Sequence, residues 1–437
     1  QQGLYMQDIR PAIINSFTIN DKDSANPLII TSLLIYRDQI IAGTDKKTIL
    51  VIDKKRKQVV RRIRLPINPQ LSNEITYFQP VHPDTIWISS ASGLDWMNTR
   101  NFSTGTVDLT QLDPETPSIE FLYADSKNNI WIPPTVINTI FRYDYSRRTA
   151  ERIDGNNDKL FKTNTTNSVA EDSAGNVWFG GDAIARWNPH LKKIDTLIEF
   201  LSTQKNRKKG FLVMSDSRGD IWVMLNDEGF ARITNVPVHV RPENILPDNR
   251  GFYPTSFYDK IFVTTTNGLA YLDLKSLKAI IFHREDGLPS KAISSIRFAP
   301  DSSDRSIWFA CGNIICTIPT SASSFYRQPP ALAISEVAVI NDTVVNYPTA
   351  TIHLKHDQND LRLSFSAVNY IDPENMRFAY RIINEHDSSW IEAGNQPNIL
   401  LTNISPGKYA LEAKVYAFDN KWPEQIKEMD IIIEPPF

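Results

Sequence analysis

Four things are scarce in this sequence, and each scarcity excludes something. There are only two cysteines in 437 residues, Cys311 and Cys316, too few to report a redox compartment. A hairpin turning at Gly312-Asn313 would pair Cys311 with Ile314 and Phe309 with Cys316. That leaves the thiols on one face but diagonal, about 7–8 Å apart, beyond disulfide reach. Both are expected to be free and packed. Long hydrophobic runs are missing too. No stretch of about eighteen apolar residues occurs, so no segment reads as a helix crossing a bilayer. Residues Gln1–Arg10 lack the charged start and apolar run of a signal peptide, so the chain reads as a mature protein or as a fragment of a longer one. An excess of one charge is also absent. With 47 Lys+Arg against 50 Asp+Glu the net charge is -3, which offers no field for nucleic acid or an anionic membrane. The basic patch Lys54–Lys57 with Arg61, Arg62 and Arg64 reads as a solvated strand edge.

Chemistry-bearing motifs are the fourth scarcity. None of the 7 histidines sits in H-E-x-x-H or at another metal spacing, and there is no cysteine cluster. His353 and His356 are three apart on a strand and loop, where they need not converge. G-x-S-x-G, P-loop and dinucleotide fingerprints are missing. No catalytic residue, cofactor or metal is expected.

What is present is a repeat. At 437 residues and 41% hydrophobic, the chain is too long for one ordinary core unless repeats carry it. The clearest copies are DSKNNIWI at Asp125–Ile132, EDSAGNVWFGG at Glu171–Gly181 and SDSRGDIWV at Ser215–Val223. The marker aromatic, or its equivalent, falls at Ile41, Trp87, Trp131, Trp178, Trp222, Phe262 and Trp308, with spacings of 46, 44, 47, 44, 40 and 46 residues. Seven marks at that interval over short apolar strands predict a seven-bladed β-propeller of four strands per blade. A lone blade cannot cover both faces, so ringing seven buries each against the next and puts the markers in the core. The last blade lacks a good outer strand after Cys316. The alternating segment Ile13–Asn20 is expected to supply it and so remove the free edges.

The series stops at Trp308, and Pro329-Pro330 follow. The chain is therefore divided as 1–330 propeller and 331–437 second domain. In the latter, LRLSFSAVNY (Leu361–Tyr370), MRFAYRII (Met376–Ile383) and GKYALEAKVYAFD (Gly407–Asp419) alternate as longer strands. They predict an Ig-like or fibronectin-like β-sandwich of some seven strands, with a turn at Asn403–Gly407 launching the Tyr409 strand.

Ligand-binding candidates come from the strand after each marker strand: Trp96, Arg142, Arg186, Arg232, Tyr271 and Ile315. The three arginines suit the carboxylates or sulfates of acidic sugars, but pairing with blade carboxylates such as Asp144 and Asp227 is the favoured reading. Trp187 and Trp96 are candidates for stacking on a sugar face.

The phrase D-x-x-G-x-[IV]-W, complete at Asp172–Trp178 and Asp216–Trp222, resembles the repeat of two-component regulator propellers. AVNYIDPENMRFAYRI (Ala367–Ile382), SSWIEAG (Ser388–Gly394), LTNISPGKYALEAKV (Leu401–Val415), FDNKWPE (Phe418–Glu424) and the closing EPPF resemble the Tyr-rich sandwich that follows those propellers. The resemblance implies the periplasmic sensor region of a membrane-bound regulator, often a hybrid histidine kinase of Bacteroidetes. It implies an oligosaccharide ligand, homodimerisation through the sandwich in the full-length protein, and a membrane tether and any kinase activity outside this chain. Members typically carry two propellers, whereas one is read here. The alternative is a secreted propeller glycoside hydrolase or lyase. The Asp-box of sialidase-type propellers, S-x-D-x-G-x-T-W, is not met, because Asp216 and Gly219 stand three apart rather than two and no Thr precedes Trp222.

Overall fold

The computed structural model of the chain describes residues 12–20, 28–107, 119, 121–133, 139–145, 147, 149–154, 166–181, 183–198, 211–225, 229–233, 251–265, 268–290, 293–295, 297–320, 329–340, 345–346, 350–369, 375–383, 388–417, 422 and 424–436. It falls into two compact units, Ala12–Ser321 and a second that contains Ala322–Phe437. The division lies before the Pro329-Pro330 link, and residues 321–328 are outside the described ones.

The first unit is a seven-bladed β-propeller. Blades 1 to 6 are antiparallel meanders whose strands run in chain order from the inner to the outer edge. Blade 1 is Ile30–Tyr36, Gln39–Thr44, Thr48–Asp53 and Gln58–Arg64. Blade 2 is Ile75–His82, Thr85–Ser90, Gly93–Asn98 and the short Thr104–Thr106. Blade 3 is Tyr123–Ala124, Asn129–Ile132, Thr139–Asp144 and Thr149–Asp154. Blade 4 is Thr166–Glu171, Val177–Gly181, Ile184–Asn188 and Lys193–Ile198. Blade 5 has three strands among the described residues, Phe211–Ser215, Ile221–Leu225 and Gly229–Arg232. Blade 6 is Gly251–Phe257, Lys260–Thr265, Gly268–Asp273 and Ala279–Phe282. Blade 7 is Ala299–Asp301, Ser306–Cys311 and Ile314–Pro319. Its outer strand is Asn15–Thr18, which pairs antiparallel with Ile314–Thr317. The sheet that ends the ring is thus completed from its beginning, which covers the edge of Ile314–Pro319 with a short outer strand. Among the described residues the inner strand of blade 3 pairs with the marker strand at Tyr123 and Ala124 alone.

The ring is held by seams between neighbouring blades. All seven markers are buried, and each packs toward the following blade. Ile41 joins Ile75, Phe78 and Met97 of blade 2. Trp87 joins Ile130 and Phe141, Trp131 joins Phe179 and Ala185, and Trp178 joins Val213 and Val223. Trp222 joins Ile261 and Leu272, Phe262 meets Phe298, and Trp308 closes the circle on Leu33 and Ala42 of blade 1. Polar groups reinforce that closure. Ile30 N–H donates to the Gly312 carbonyl at 2.9 Å, the Ser294 hydroxyl donates to the Ile30 carbonyl at 2.7 Å, and Lys54 pairs with Asp301 and Asp304.

The turn before each strong marker explains the repeat phrase. Asp172 Oδ1 accepts the backbone N–H groups of Ala174 and Asn176, both at 2.9 Å, while Oδ2 accepts Trp178 Nε1–H. Asp125 and Asp216 do the same for Trp131 and Trp222. The fourth turn residue takes positive φ, 61° at Asn128 and 78° at Gly175 and Gly219, a region that favours Gly and Asn.

The second unit is a β-sandwich of nine described strands. One sheet orders Val345–Asn346, Leu332–Val339, Leu361–Ala367 and Asn398–Leu401. The other orders Thr351–Leu354, Gln425–Ile433, Gly407–Ala417, Met376–Ile383 and Ile391–Gly394. Inward residues such as Val337, Leu363, Phe378, Leu411, Val415 and Ile431 form one core. The Tyr409 hydroxyl donates back to the Ser405 carbonyl at 2.9 Å, a tyrosine corner that braces the turn before its strand.

Candidate ligand-binding site

The register sets what faces each seam. Directly opposite the markers, on the third strand of each blade, stand Val51, Trp96, Arg142, Arg186, Arg232, Tyr271 and Thr317. In blade 7 the residue directly across from Trp308 is Thr317; Ile315, the residue named from the sequence, lies opposite Ala310, two residues along on the same face, and packs in the same cluster as Trp308. Side chains alternate along a strand, so the next residue points to the preceding blade. Those residues are Ile52, Met97, Tyr143, Trp187, Ile233, Leu272 and Ile318. They are aliphatic in five blades and aromatic only in blades 3 and 4. The repeat therefore breaks its own pattern on both sides of blade 3.

The seam between blades 2 and 3 collects rings. Trp87 forms a buried floor, with Tyr143 at 5.2 Å and Tyr145 at 6.2 Å between ring centres. Tyr143 and Tyr145 meet at 6.4 Å, and the exposed His82 ring stacks on Tyr145 at 6.0 Å. Trp96 is half-buried and packs into the same cluster. Gly105 makes room for it: a Cβ there would come within 2.6 Å of the Trp96 indole nitrogen. Rings with apolar faces and polar edges, partly open to water, suit a ligand with an apolar face and a rim of hydroxyls. Sequence reasoning found Trp96 and missed Tyr143, Tyr145 and His82. The available signal was Y-x-Y spacing, which puts both rings on one strand face.

The other candidates are placed as follows. Arg142 lies across its ladder from Glu151 and pairs with it at 2.6 Å, not with Asp144, which pairs with Arg147. Arg186 donates Nε–H at 2.7 Å to Asp195, which also accepts Asn188 Nδ2–H. Arg232 pairs with Asp220; Asp227 is outside the described residues. Tyr271 is 1% exposed between Phe262 and Phe282, under the Lys260 ammonium, so it offers a ligand no free face. Arg142 and Trp187 come together in the seam between blades 3 and 4. Arg186 and Arg232 sit in other seams, so the arginines do not converge. Among the described residues no group of three His, Cys, Asp or Glu side chains is placed to hold a metal ion.

Cys311 and Cys316 are free and buried, and the hairpin pairs Phe309 with Cys316 and Cys311 with Ile314. The Cys311 pKa is lowered by its neighbour Cys316, and that of Cys316 is raised by Cys311 and by burial.

Residues 369–434 match the Y_Y_Y domain. Over 98% of its length the chain superposes on the extracellular domain of the hybrid two component system BT3049 from B. thetaiotaomicron, with a TM-score of 0.64 and 20% identity, and it covers 58% of that chain. The propeller alone resembles the Cps50 (Swd1) β-propeller domain of Myceliophteria thermophila, at TM-score 0.51 and 10% identity over 71% of this chain and 100% of that one. In sequence, 193 residues are 21% identical to "Histidine kinase P4" of Formosa agariphila, covering 41% of this chain and 14% of that protein. The chain thus spans a minor part of that relative. These likenesses establish a propeller joined to a Y_Y_Y sandwich. Among the described residues no helix is long and apolar enough to cross a membrane.

Proposed function

We propose that this chain is the extracytoplasmic, periplasmic sensing region of a membrane-bound two-component regulator, and that it binds a glycan-derived oligosaccharide without cleaving it. The observation that carries the ligand class is the half-open ring cluster of Trp96, Tyr143, Tyr145 and His82 over Trp87. Pyranose rings present C–H groups on one face and hydroxyls at the rim, which match flat aromatic faces with polar edges. The Y_Y_Y segment and the likeness to an extracellular domain of a hybrid two-component system support the sensor role. In this reading the bound state is passed on through the sandwich, paired with a second copy in the membrane-bound protein.

The test is thermal denaturation of the full chain against a panel of oligosaccharides, with every mixture analysed for products. A ligand at a hundred times its dissociation constant adds about 2.7 kcal/mol. The expected result is an upward shift with the sugar intact, abolished by Trp96→Ala or Tyr145→Ala. A shift accompanied by cleavage would establish a hydrolase or lyase instead. A panel that leaves the midpoint unmoved would sink the sugar reading.

A further inference from the structure

The two seams beside blade 3 differ in charge. Arg142 and Tyr143 are successive residues of one strand, so they face opposite seams. On the blade 4 side the Arg142 guanidinium lies over two indoles, 6.0 Å from the Trp131 ring centre and 5.8 Å from that of Trp187. The two indoles meet edge to face at 6.0 Å. Trp187 is 4% exposed, and among the described residues its Nε1–H has no hydrogen-bond partner. Other buried indoles of the ring are satisfied: Trp131, Trp178, Trp222 and Trp308 donate to Asp125, Asp172, Asp216 and Ser306. A buried donor left without an acceptor has lost its hydrogen bond to water and gained none in return. Beside a cation, the acceptor best able to offset that loss carries negative charge.

The counter-ion of Arg142 is loosely held. Glu151 has 51% of its side chain exposed and sits on the outer strand. With its carboxylate half in water the pair is screened and contributes little, so an incoming anion displaces Glu151 to solvent at little cost. Asp195, by contrast, is 13% exposed and binds both Arg186 and Asn188. Arg186 is therefore committed to its own blade.

We propose that the seam between blades 3 and 4 is an anion subsite, in which Arg142 and Trp187 Nε1–H take the carboxylate or sulfate of an acidic sugar and Glu151 gives way. This rests on the oligosaccharide reading for the ligand's sugar part and on the seam's own chemistry for its charge. The ligand is then an acidic oligosaccharide, with its anionic residue in this seam and a neutral residue on the rings of the other.

The test follows the indole N–H resonances of the full chain, labelled at the tryptophan side-chain nitrogen, during titration with D-glucuronate, sodium sulfate and D-glucose. The Trp187 resonance is assigned as the one lost in Trp187→Phe. Both anions are expected to move it while Trp131, tied to Asp125, stays in place and glucose moves neither. Arg142→Met should weaken anion binding by roughly ten- to a hundred-fold, the size of a charged hydrogen bond. Glu151→Gln should tighten binding by removing the competitor. A Trp187 resonance indifferent to both anions would overturn the subsite. So would anion binding unchanged in Arg142→Met with the Trp131 resonance at its native position. If anions move Trp187 but no oligosaccharide stabilises the chain, the subsite stands and the sugar reading falls. If neutral oligosaccharides stabilise it and anions leave Trp187 unmoved, the reverse holds.

Discussion

Trp178 donates its Nε1–H to Asp172 at 2.8 Å, across a turn that the same carboxylate holds shut through two backbone N–H groups. One side chain thus fixes a turn and orients the ring that fills the next seam. Asp172→Ala should cost about 1–3 kcal/mol, since it orphans a buried indole N–H, and lower the thermal midpoint by on the order of 2–4 °C per kcal/mol. Trp178→Ala should cost more, about 3–5 kcal/mol, because it also empties the seam. Differential scanning calorimetry of the two variants checks the order; equal losses would mean that the carboxylate acts only through the ring.

Stability should fall in acid. Burial tends to raise the pKa of Asp216, but hydrogen bonds from the Arg218 N–H, the Trp222 indole, the Arg218 guanidinium and the Asp220 N–H outweigh it, and the net shift is downward. In Asp301 burial is likewise outweighed by Lys54 and Ser303. A carboxylate with a depressed folded pKa contributes stability that is present above its unfolded value, about 3.9, and lost as pH falls through the folded one. Lys54 has the opposite sign. Burial lowers its pKa, its bonds to Asp301 and Asp304 raise it further, and the net shift is upward. Its contribution is full below the unfolded value of about 10.4 and is lost as pH rises through the folded one. The thermal midpoint should therefore hold through neutrality and drop at both ends. Lys54→Met should flatten the alkaline drop, and an alkaline limb identical to that of the parent chain would exclude this bridge as its source.

Gly219 holds φ +78°, and a Cβ there would meet the Ser173 backbone nitrogen at 2.6 Å, where Ser173 N–H donates to the Gly219 carbonyl. Gly219→Ala combines an unfavourable backbone region with a clash between blades 4 and 5. It should destabilise by about 1–3 kcal/mol. Gly175 has the same φ, but its nearest neighbour is the Glu171 carboxylate at 3.7 Å, so Gly175→Ala should cost less. Chemical denaturation of the pair separates strain from clash.

Cys311 and Cys316 are 5% and 0% exposed, so thiol reagents should reach them only through unfolding. Labelling in rising denaturant should follow the loss of tryptophan signal. Rapid labelling of the folded chain would show that the hairpin of blade 7 opens locally.

The marker period was legible because its cause is local. An Asp six residues ahead of a Trp closes a turn and binds the indole within one hairpin, so the motif survives as a spacing. The sandwich strands were legible for the same reason, since alternation records which face is buried. Strand lengths depend on the neighbouring strand and not on local propensity alone: among the described residues the inner strand of blade 3 has two paired residues. Tertiary structure alone decided the candidate site. Trp96 and Tyr143, or Arg142 and Trp187, are brought together by stacking separate blades, and side-chain alternation decides which seam each residue enters. A one-residue difference, as between Arg142 and Tyr143, sends a side chain to the opposite face, and only the paired sheet specifies that register.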